Sequence, residues 1–221
     1  MTKTVHKHDI VEYSNVLTEK ECSDLINYWN ELDDWMLSCF PGMYTIAGKK
    51  SNTVLGGQLI GPVQQKLKSL AEEVFGKELK QLSLSTHKWT DGAFAADHAD
   101  NAELDGTPNA WKENKLVCIV YLNNNYEGGK LTFRDHGLAI KPTRGNAIVF
   151  DVGIDNVHAV TEIKGGERYT MMASFDFIDS VYDEDLQAQK QSLYGAHEEL
   201  RKEWAEGKTM PKSSATDPTI K

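Results

Sequence analysis

Apolar residues recur along this chain with two different periods, and the change between them falls near residue 80. After Thr18, the residues Cys22, Leu25, Ile26 and Trp29 stand at i, i+3, i+4 and i+7, the spacing that gathers side chains on one helix face. Glu21 follows Thr18 by three residues, the capping-box arrangement at a helix start. Ile60, Val63, Leu67, Leu70, Ala71 and Val74 repeat the helical spacing, and Gly76 predicts a C-terminal stop. Between these helices, Phe40 to Gly57 is rich in Gly, Ser, Lys and Asn. It reads as a long loop, a feature that in compact domains often carries function.

From residue 82 the texture changes to strands. Leu82-Ser-Leu-Ser-Thr-His87 alternates, and Leu116 to Leu122 reads as a buried strand. Asn123 to Gly129 reads as a turn into Lys130–Arg134, and Ala147–Phe150 follows. In Arg168 to Phe177, Tyr169, Met171, Ala173, Phe175 and Phe177 share one face, while Arg168, Thr170, Met172 and Ser174 share the other. Asp183 to Trp204 reads as a polar helix, and Gly207 to Lys221 as a tail. Helices first and then many strands with tight turns predict an α+β protein on an antiparallel sandwich or barrel. The expected organisation is a single domain over 1–206 and a flexible tail over 207–221. Within the domain, helical support spans 1–80, the strand core 81–178 and a C-terminal helix 183–206.

Composition removes several classes. The 221 residues suit one domain, and 33 acidic against 24 basic residues give a net charge of −9. Broad capture of nucleic acid or of an anionic membrane surface is therefore not expected. The longest apolar run, Leu116 to Leu122, is far short of the roughly 18 residues that span a bilayer. The N-terminus has basic residues without the apolar stretch of a secretory signal. Cys22, Cys39 and Cys118 are too few and too scattered for a disulfide framework. A reducing, cytoplasmic setting is the expectation.

The sharpest chemical signal is His98-Ala-Asp100 with His158 sixty residues later. In extended chain, residues i and i+2 point the same way, so His98 and Asp100 can grip one ion together. Two imidazoles and one carboxylate with the opposite face open suit non-haem Fe(II). On its own such a pair is more often a surface or capping contact. Ten residues after His158 comes Arg168-Tyr-Thr170. A guanidinium fork fits a carboxylate, and a neighbouring hydroxyl adds a further hydrogen bond. The alternative is a rim salt bridge from Arg168 to Glu162 or Glu167. His87 and His136 read as surface or supporting residues, Asp97 as a solvated carboxylate, and Cys118 as core. Lys49, Lys50 and Arg144 either meet substrate at the mouth of a site or serve solubility.

Several segments in order carry a resemblance: Val16-Leu-Thr-Glu-Lys-Glu-Cys22, Trp89-Thr-Asp-Gly92-Ala-Phe94 ahead of His98, and Tyr121-Leu-Asn with Gly128-Gly129-Lys-Leu-Thr-Phe133. They continue with Pro142 to Phe150, Val157-His158-Ala-Val160 and Gly166-Glu-Arg168-Tyr. From about Tyr13 to Phe177 the sequence resembles the 2-oxoglutarate- and Fe(II)-dependent dioxygenases, in their prolyl 4-hydroxylase-like branch. The resemblance implies a double-stranded β-helix, or jelly roll, over 81–178 with N-terminal helices packed along its outside. It implies that His98, Asp100 and His158 hold iron, that Arg168 binds the distal carboxylate of 2-oxoglutarate, and that Thr170 assists. It further implies O2 as co-reactant, ascorbate as reductant, and release of succinate and CO2 as a C–H bond is hydroxylated. A prolyl residue in a peptide or protein is the expected substrate, clamped by the loop Phe40–Gly57. Trp89 departs from the family, standing where a tyrosine usually donates a hydroxyl to the cosubstrate. An indole N–H donates but cannot accept, and core packing is the other reading of Trp89. The secretory signal and disulfides of the animal collagen-modifying members are missing, which argues against collagen as substrate. A small-molecule hydroxylase, a zinc hydrolase and a non-catalytic metal-binding jelly roll remain as alternatives, and the oligomeric state stays open. Such a chain suits a bacterium or a virus that infects one.

Overall fold

The computed structural model describes residues 1–7, 9–46 and 54–180. Helix α1 spans Glu19–Leu32 and starts with the capping box foreseen from the sequence. The Glu21 amide donates to Thr18 Oγ1 at 3.2 Å, and the Thr18 amide donates to Glu21 Oε2 at 2.7 Å. Helix α2 spans Val54–Phe75, and Gly76 ends it with φ of +62°. Lys66 of α2 reaches Glu21 Oε1 at 2.8 Å, tying the two helices together. No helix among the described residues is long and apolar enough to cross a membrane.

Among the described residues fourteen strands run in the order β1 (Thr2–Val5), β2 (Val11–Ser14), β3 (Trp35–Leu37), β4 (Met43–Ile46), β5 (Leu79–Trp89), β6 (Ala95–His98) and β7 (Leu116–Tyr121). They continue with β8 (Glu127–Gly128), β9 (Leu131–Phe133), β10 (Leu138–Ile140), β11 (Ala147–Asp151), β12 (His158–Val160), β13 (Ile163–Lys164) and β14 (Arg168–Phe177). An eight-stranded sheet has the order β1-β2-β11-β7-β14-β5-β4-β3, and a four-stranded sheet has the order β10-β9-β12-β6. A two-stranded ribbon pairs β13 with β8. The named pairs are antiparallel throughout. This is the double-stranded β-helix.

Alternation along β14 builds two cores. Tyr169, Met171, Ala173 and Phe175 point outward and pack in one cluster with Leu67, Leu70 and Ala71 of α2 and Cys22 and Leu25 of α1. The second cluster lies between the sheets, joining Val117, Tyr121, Ile148 and Phe150 to Leu131, Phe133, Ile140 and Val160. The functional side chains border this inner cluster.

The expected helical support over 1–80 is corrected. That region also contributes β1 to β4, each of three or four residues, and β5 begins at Leu79. Strands so short leave too few alternations to be read, although Val11 and Tyr13 of β2 are buried and Glu12 and Ser14 less so. The loop expected over Phe40–Gly57 is corrected as well. Met43–Ile46 pairs with β5, and α2 starts at Val54, six residues before the first periodic position. Val54 and Leu55 are exposed, and Gly56, Gly57, Gly61 and Pro62 are poor helix formers, so the first turns carry no helical signature. Lys49, Lys50, the helix expected over 183–206 and the tail over 207–221 lie outside the described residues.

Candidate active site

Strand pairing builds a cluster of three side chains that could hold a metal ion. β12 and β6 run antiparallel with His158 directly opposite His98, and their ring centroids are 4.3 Å apart. Asp100 follows two residues after the end of β6, where its amide donates to Val152 O at 3.0 Å. Asp100 Oδ1 lies 3.4 Å from His98 Nε2 and 3.5 Å from His158 Nε2. One ligand atom from each of the three residues falls within 4.8 Å of the others. Bonds of about 2.1 Å to a shared ion draw adjacent donors to roughly 3 Å, so small adjustments suffice for binding.

The protonation pattern suits a cation. His98 Nδ1 donates to Ala96 O at 2.7 Å, and His158 Nδ1 donates to Asn156 O at 2.9 Å. A carbonyl only accepts, so each proton sits on Nδ1 and each Nε2 lone pair is free to bind metal. Burial alone would push the Asp100 carboxyl up, but His158 and His98 together outweigh it and hold the group well below the usual range. The carboxylate is thus charged. Phe133 and Phe150 flank His158 at 5.9 and 5.0 Å between ring centroids, and Phe40 lies 4.9 Å from His98.

Arg168 forms the other pole. It is 2% exposed on the inner face of β14, and no described carboxylate forms an ion pair with it. The rim salt bridge is excluded, because Glu162 pairs with Lys164 and Glu167 accepts the Tyr169 hydroxyl at 2.6 Å. The guanidinium instead lies 5.2 Å from the Trp89 ring and 5.4 Å from the Tyr121 ring. Trp89 Nε1, Tyr121 Oη, Tyr126 Oη and Arg168 Nε are all buried without a hydrogen-bond partner. Unpaired buried polar atoms each cost free energy, and here they converge on one unneutralised cation. Such a set of donors around a guanidinium suits an anion with several acceptor oxygens. Burial raises the Tyr121 phenol above its ordinary pKa against an opposing pull from Arg168, so the hydroxyl stays a donor. Thr170, 1% exposed, sits opposite Tyr121 in the β14–β7 register.

The turn before β9 closes this end. A Cβ on Gly129, which has φ of +60°, would meet Tyr126 Cε2 at 2.8 Å and Arg168 Cδ at 3.2 Å. Only glycine lets tyrosine and arginine approach so closely there.

Other sequence candidates divide. His136 Nε2 bonds Asn156 Oδ1 at 2.8 Å, and the same asparagine's carbonyl orients His158, so His136 is a supporting residue. Asp97 pairs with Arg134 at 3.2 Å instead of standing solvated alone. Arg144 is not at the mouth. Its guanidinium donates to Glu19 O and Ser23 Oγ of α1. Cys118 is fully buried core. His87 is not a surface residue, at 7% exposure on the inner face beside this pocket. Sequence reasoning missed Tyr121, Tyr126 and Phe40. The alternation of Leu116 to Tyr121 already places Tyr121 on one face with Val117 and Ile119, but nothing local says that the face meets an arginine.

Comparison with known proteins agrees with this geometry. Residues 84–175 match the model of the 2OG-Fe(II) oxygenase superfamily. Human prolyl 3-hydroxylase 2 is 31% identical over 121 residues, which cover 46% of this chain and 17% of that protein. The chain thus spans less than a fifth of the length of that curated relative. A viral collagen prolyl hydroxylase from Paramecium bursaria Chlorella virus-1, solved with 2OG, superposes with a TM-score of 0.61 at 17% identity, covering 80% of this chain and 99% of that one. A Trichoplax adhaerens prolyl hydroxylase, solved with a hypoxia-inducible-factor peptide, gives 0.59 at 13% identity, covering 77% and 84%. At such identities the two structures speak for the fold, whereas the matched segment carries both histidines, the aspartate and the arginine. It is through that segment that the chain is similar to the 2OG-Fe(II) oxygenase superfamily.

Proposed function

We propose that this protein is an Fe(II)- and 2-oxoglutarate-dependent dioxygenase that hydroxylates a prolyl residue in a peptide or protein, releasing succinate and CO2. The observation that carries the reading is a pair of complementary poles joined by aromatic contacts, since Trp89 lies against Arg168, Phe40 stacks on Trp89, and Phe40 lies against His98. At one pole stands a His–Asp–His cluster, and at the other a buried arginine with orphaned donors and no carboxylate paired to it among the described residues. Two imidazoles and a carboxylate suit Fe(II), and the arginine pole suits the distal carboxylate of a dicarboxylate.

His98, Asp100 and His158 would hold the iron, which supplies oxygen activation coupled to decarboxylation of the cosubstrate. Arg168 takes the distal carboxylate as a fork, with Tyr121 and Tyr126 placed to donate and Thr170 adjoining. Trp89 keeps its ring against the guanidinium, and its free N–H is one more donor to the same anion. Phe133, Phe150 and Phe40 surround the ligand imidazoles and keep water away from the reacting atoms. Phe40 also stacks on Trp89 at 5.9 Å, which sets an aromatic surface where a prolyl ring can lie. A zinc hydrolase would leave Arg168 and its orphaned neighbours without a purpose.

The test is incubation of purified protein with Fe(II), 2-oxoglutarate and a proline-containing peptide library. Succinate release together with a one-oxygen mass gain on a prolyl residue is expected. Succinate with a small metabolite but with no peptide would move the substrate class. No iron-dependent succinate at all would leave a non-catalytic metal-binding jelly roll.

A further inference from the structure

His87 is the one buried titratable group of the chamber to which the reading above gives no task. Its surroundings follow from register. Across four neighbouring strands, Thr45 of β4 lies opposite His87 of β5, His87 opposite Thr170 of β14, and Thr170 opposite Tyr121 of β7. Directly opposed residues of antiparallel strands project from the same face, so these four make one row across the inner wall. The next row is Met43, Trp89 and Arg168. His87 therefore stands diagonally behind the arginine, flanked on both sides by threonines, in a wall that also carries the buried donors Trp89, Arg168, Thr170 and Tyr121. It is 7% exposed and has no hydrogen-bond partner among the described residues.

His87 is not among the residues whose polar atoms are sealed off without a partner, so its ring nitrogens keep access to a partner that binds at this wall. Electrostatics show where that partner would lie. Burial first, and then the charge of Arg168, hold the pKa of His87 down to about 3, against an opposing pull from Asp100. His87 thus feels both the arginine and the metal-site carboxylate, as a residue does that lies alongside the space between the two poles. At neutral pH it is an uncharged ring with one N–H donor and one acceptor. A second cation beside Arg168 would pay for charge repulsion, whereas a neutral donor adds a directional bond without it.

Resting on the assignment of this chamber to 2-oxoglutarate, we propose that His87 is a cosubstrate-binding residue, donating a hydrogen bond to the carboxylate that Arg168 holds. The row Thr45–His87–Thr170–Tyr121 is then a continuous donor wall along one side of the cosubstrate.

Calorimetric titration of 2-oxoglutarate into Mn(II)-loaded protein tests this without turnover. His87→Leu should weaken 2-oxoglutarate binding about tenfold, the loss expected when a buried donor to a charged acceptor is removed. His87→Gln, which restores an N–H of similar reach, should recover most of that loss, and neither variant should change Mn(II) affinity. A merely structural role would not be rescued in this way. If the leucine variant does not fold, His87→Phe keeps the ring volume and gives the same measurement. An unchanged 2-oxoglutarate affinity in His87→Leu or His87→Phe, with Arg168→Ala strongly weakened, overturns the role of His87 and leaves the chamber assignment standing. An unchanged affinity in Arg168→Ala as well overturns both.

Discussion

The two faces of the eight-stranded sheet are built from the same strands and the same hydrogen-bond ladder, yet they do opposite things. On the outer face of β14, Tyr169, Met171, Ala173 and Phe175 are at most 5% exposed and pack with the helices. The one polar group among them, the Tyr169 hydroxyl, is satisfied by Asn30 and Glu167. On the inner face, Arg168 and Thr170 are as deeply buried, but Arg168 and its neighbours keep unpaired donors. Orphaned groups also occur elsewhere, at Tyr13, Trp29 and Trp35, scattered over β2, α1 and β3. Convergence is what distinguishes the inner set. Burial that satisfies every atom stabilises the fold, whereas burial that leaves unpaired donors gathered around one cation costs stability and suits a site.

The comparison breaks most sharply at the proposed metal pole. Asp100→Ala should abolish iron-dependent succinate formation and most metal affinity, while the metal-free melting temperature stays within about 3 °C of the parent. On the outer face the reverse is expected. Phe175→Ala should cost about 3–5 kcal/mol in denaturant unfolding, yet leave 2-oxoglutarate affinity of the folded protein unchanged. Arg168→Ala should weaken cosubstrate binding by about 2–5 kcal/mol, on the order of thirtyfold or more, with no loss of stability in the ligand-free state. Arg168→Lys should fall between, since the charge remains and the fork is lost. Should Arg168→Ala unfold as readily as Phe175→Ala and bind cosubstrate normally, the division between the faces would disappear.

The smallest effect belongs to the helical layer. The Lys66 ammonium, opposed by burial and helped by Thr18, holds the Glu21 carboxyl at about 2, below its ordinary 4.5. As pH falls, the unfolded chain takes up this proton first. The contribution is therefore complete above about pH 4.5 and lost progressively toward pH 2. Both side chains are well exposed, so solvent screening limits the pair and cap together to about 0.5–1 kcal/mol. Glu21→Gln should lose that amount at pH 7, and denaturation curves of parent and variant should converge near pH 2. Metal and cosubstrate binding should not respond.

What the sequence made legible was whatever depends on neighbours along the chain. The Thr18–Glu21 capping box, the α2 stop at Gly76 and the two faces of Arg168–Phe177 all rest on spacings of a few residues. So does the His98–Asp100 pair. What it hid depends on neighbours across the sheet. Tyr121 sits in an apolar run that reads as core, and only its pairing with Thr170 gives its hydroxyl a purpose. His87 reads as one polar position in an alternating strand until β4 and β14 close over it on both sides. β3 and β4 are too short to announce themselves, and β4 owes its place to pairing with β5. Trp89 was legible as a departure from a pattern, but its contact with the guanidinium was not.

The ribbon of β8 and β13 gives the chamber an uneven rigidity. It has two residue pairs, Ile163 with Gly128 and Lys164 with Glu127, and it leads from Tyr126 into the Gly129 turn beside Arg168. A two-stranded ribbon is marginal by itself. This one is anchored by buried Ile163 and by Ile163's exchange of hydrogen bonds with Gly92 and Ala93, while β14 behind it is laddered on both sides along most of its length. Amide protons on the ribbon should thus exchange with solvent well before those of β14, through local opening and not through global unfolding. A ligand spanning Tyr126 and Arg168 would cross-link the quick wall to the slow one, so that cosubstrate occupancy is written as a slowing of exchange in just these few residues.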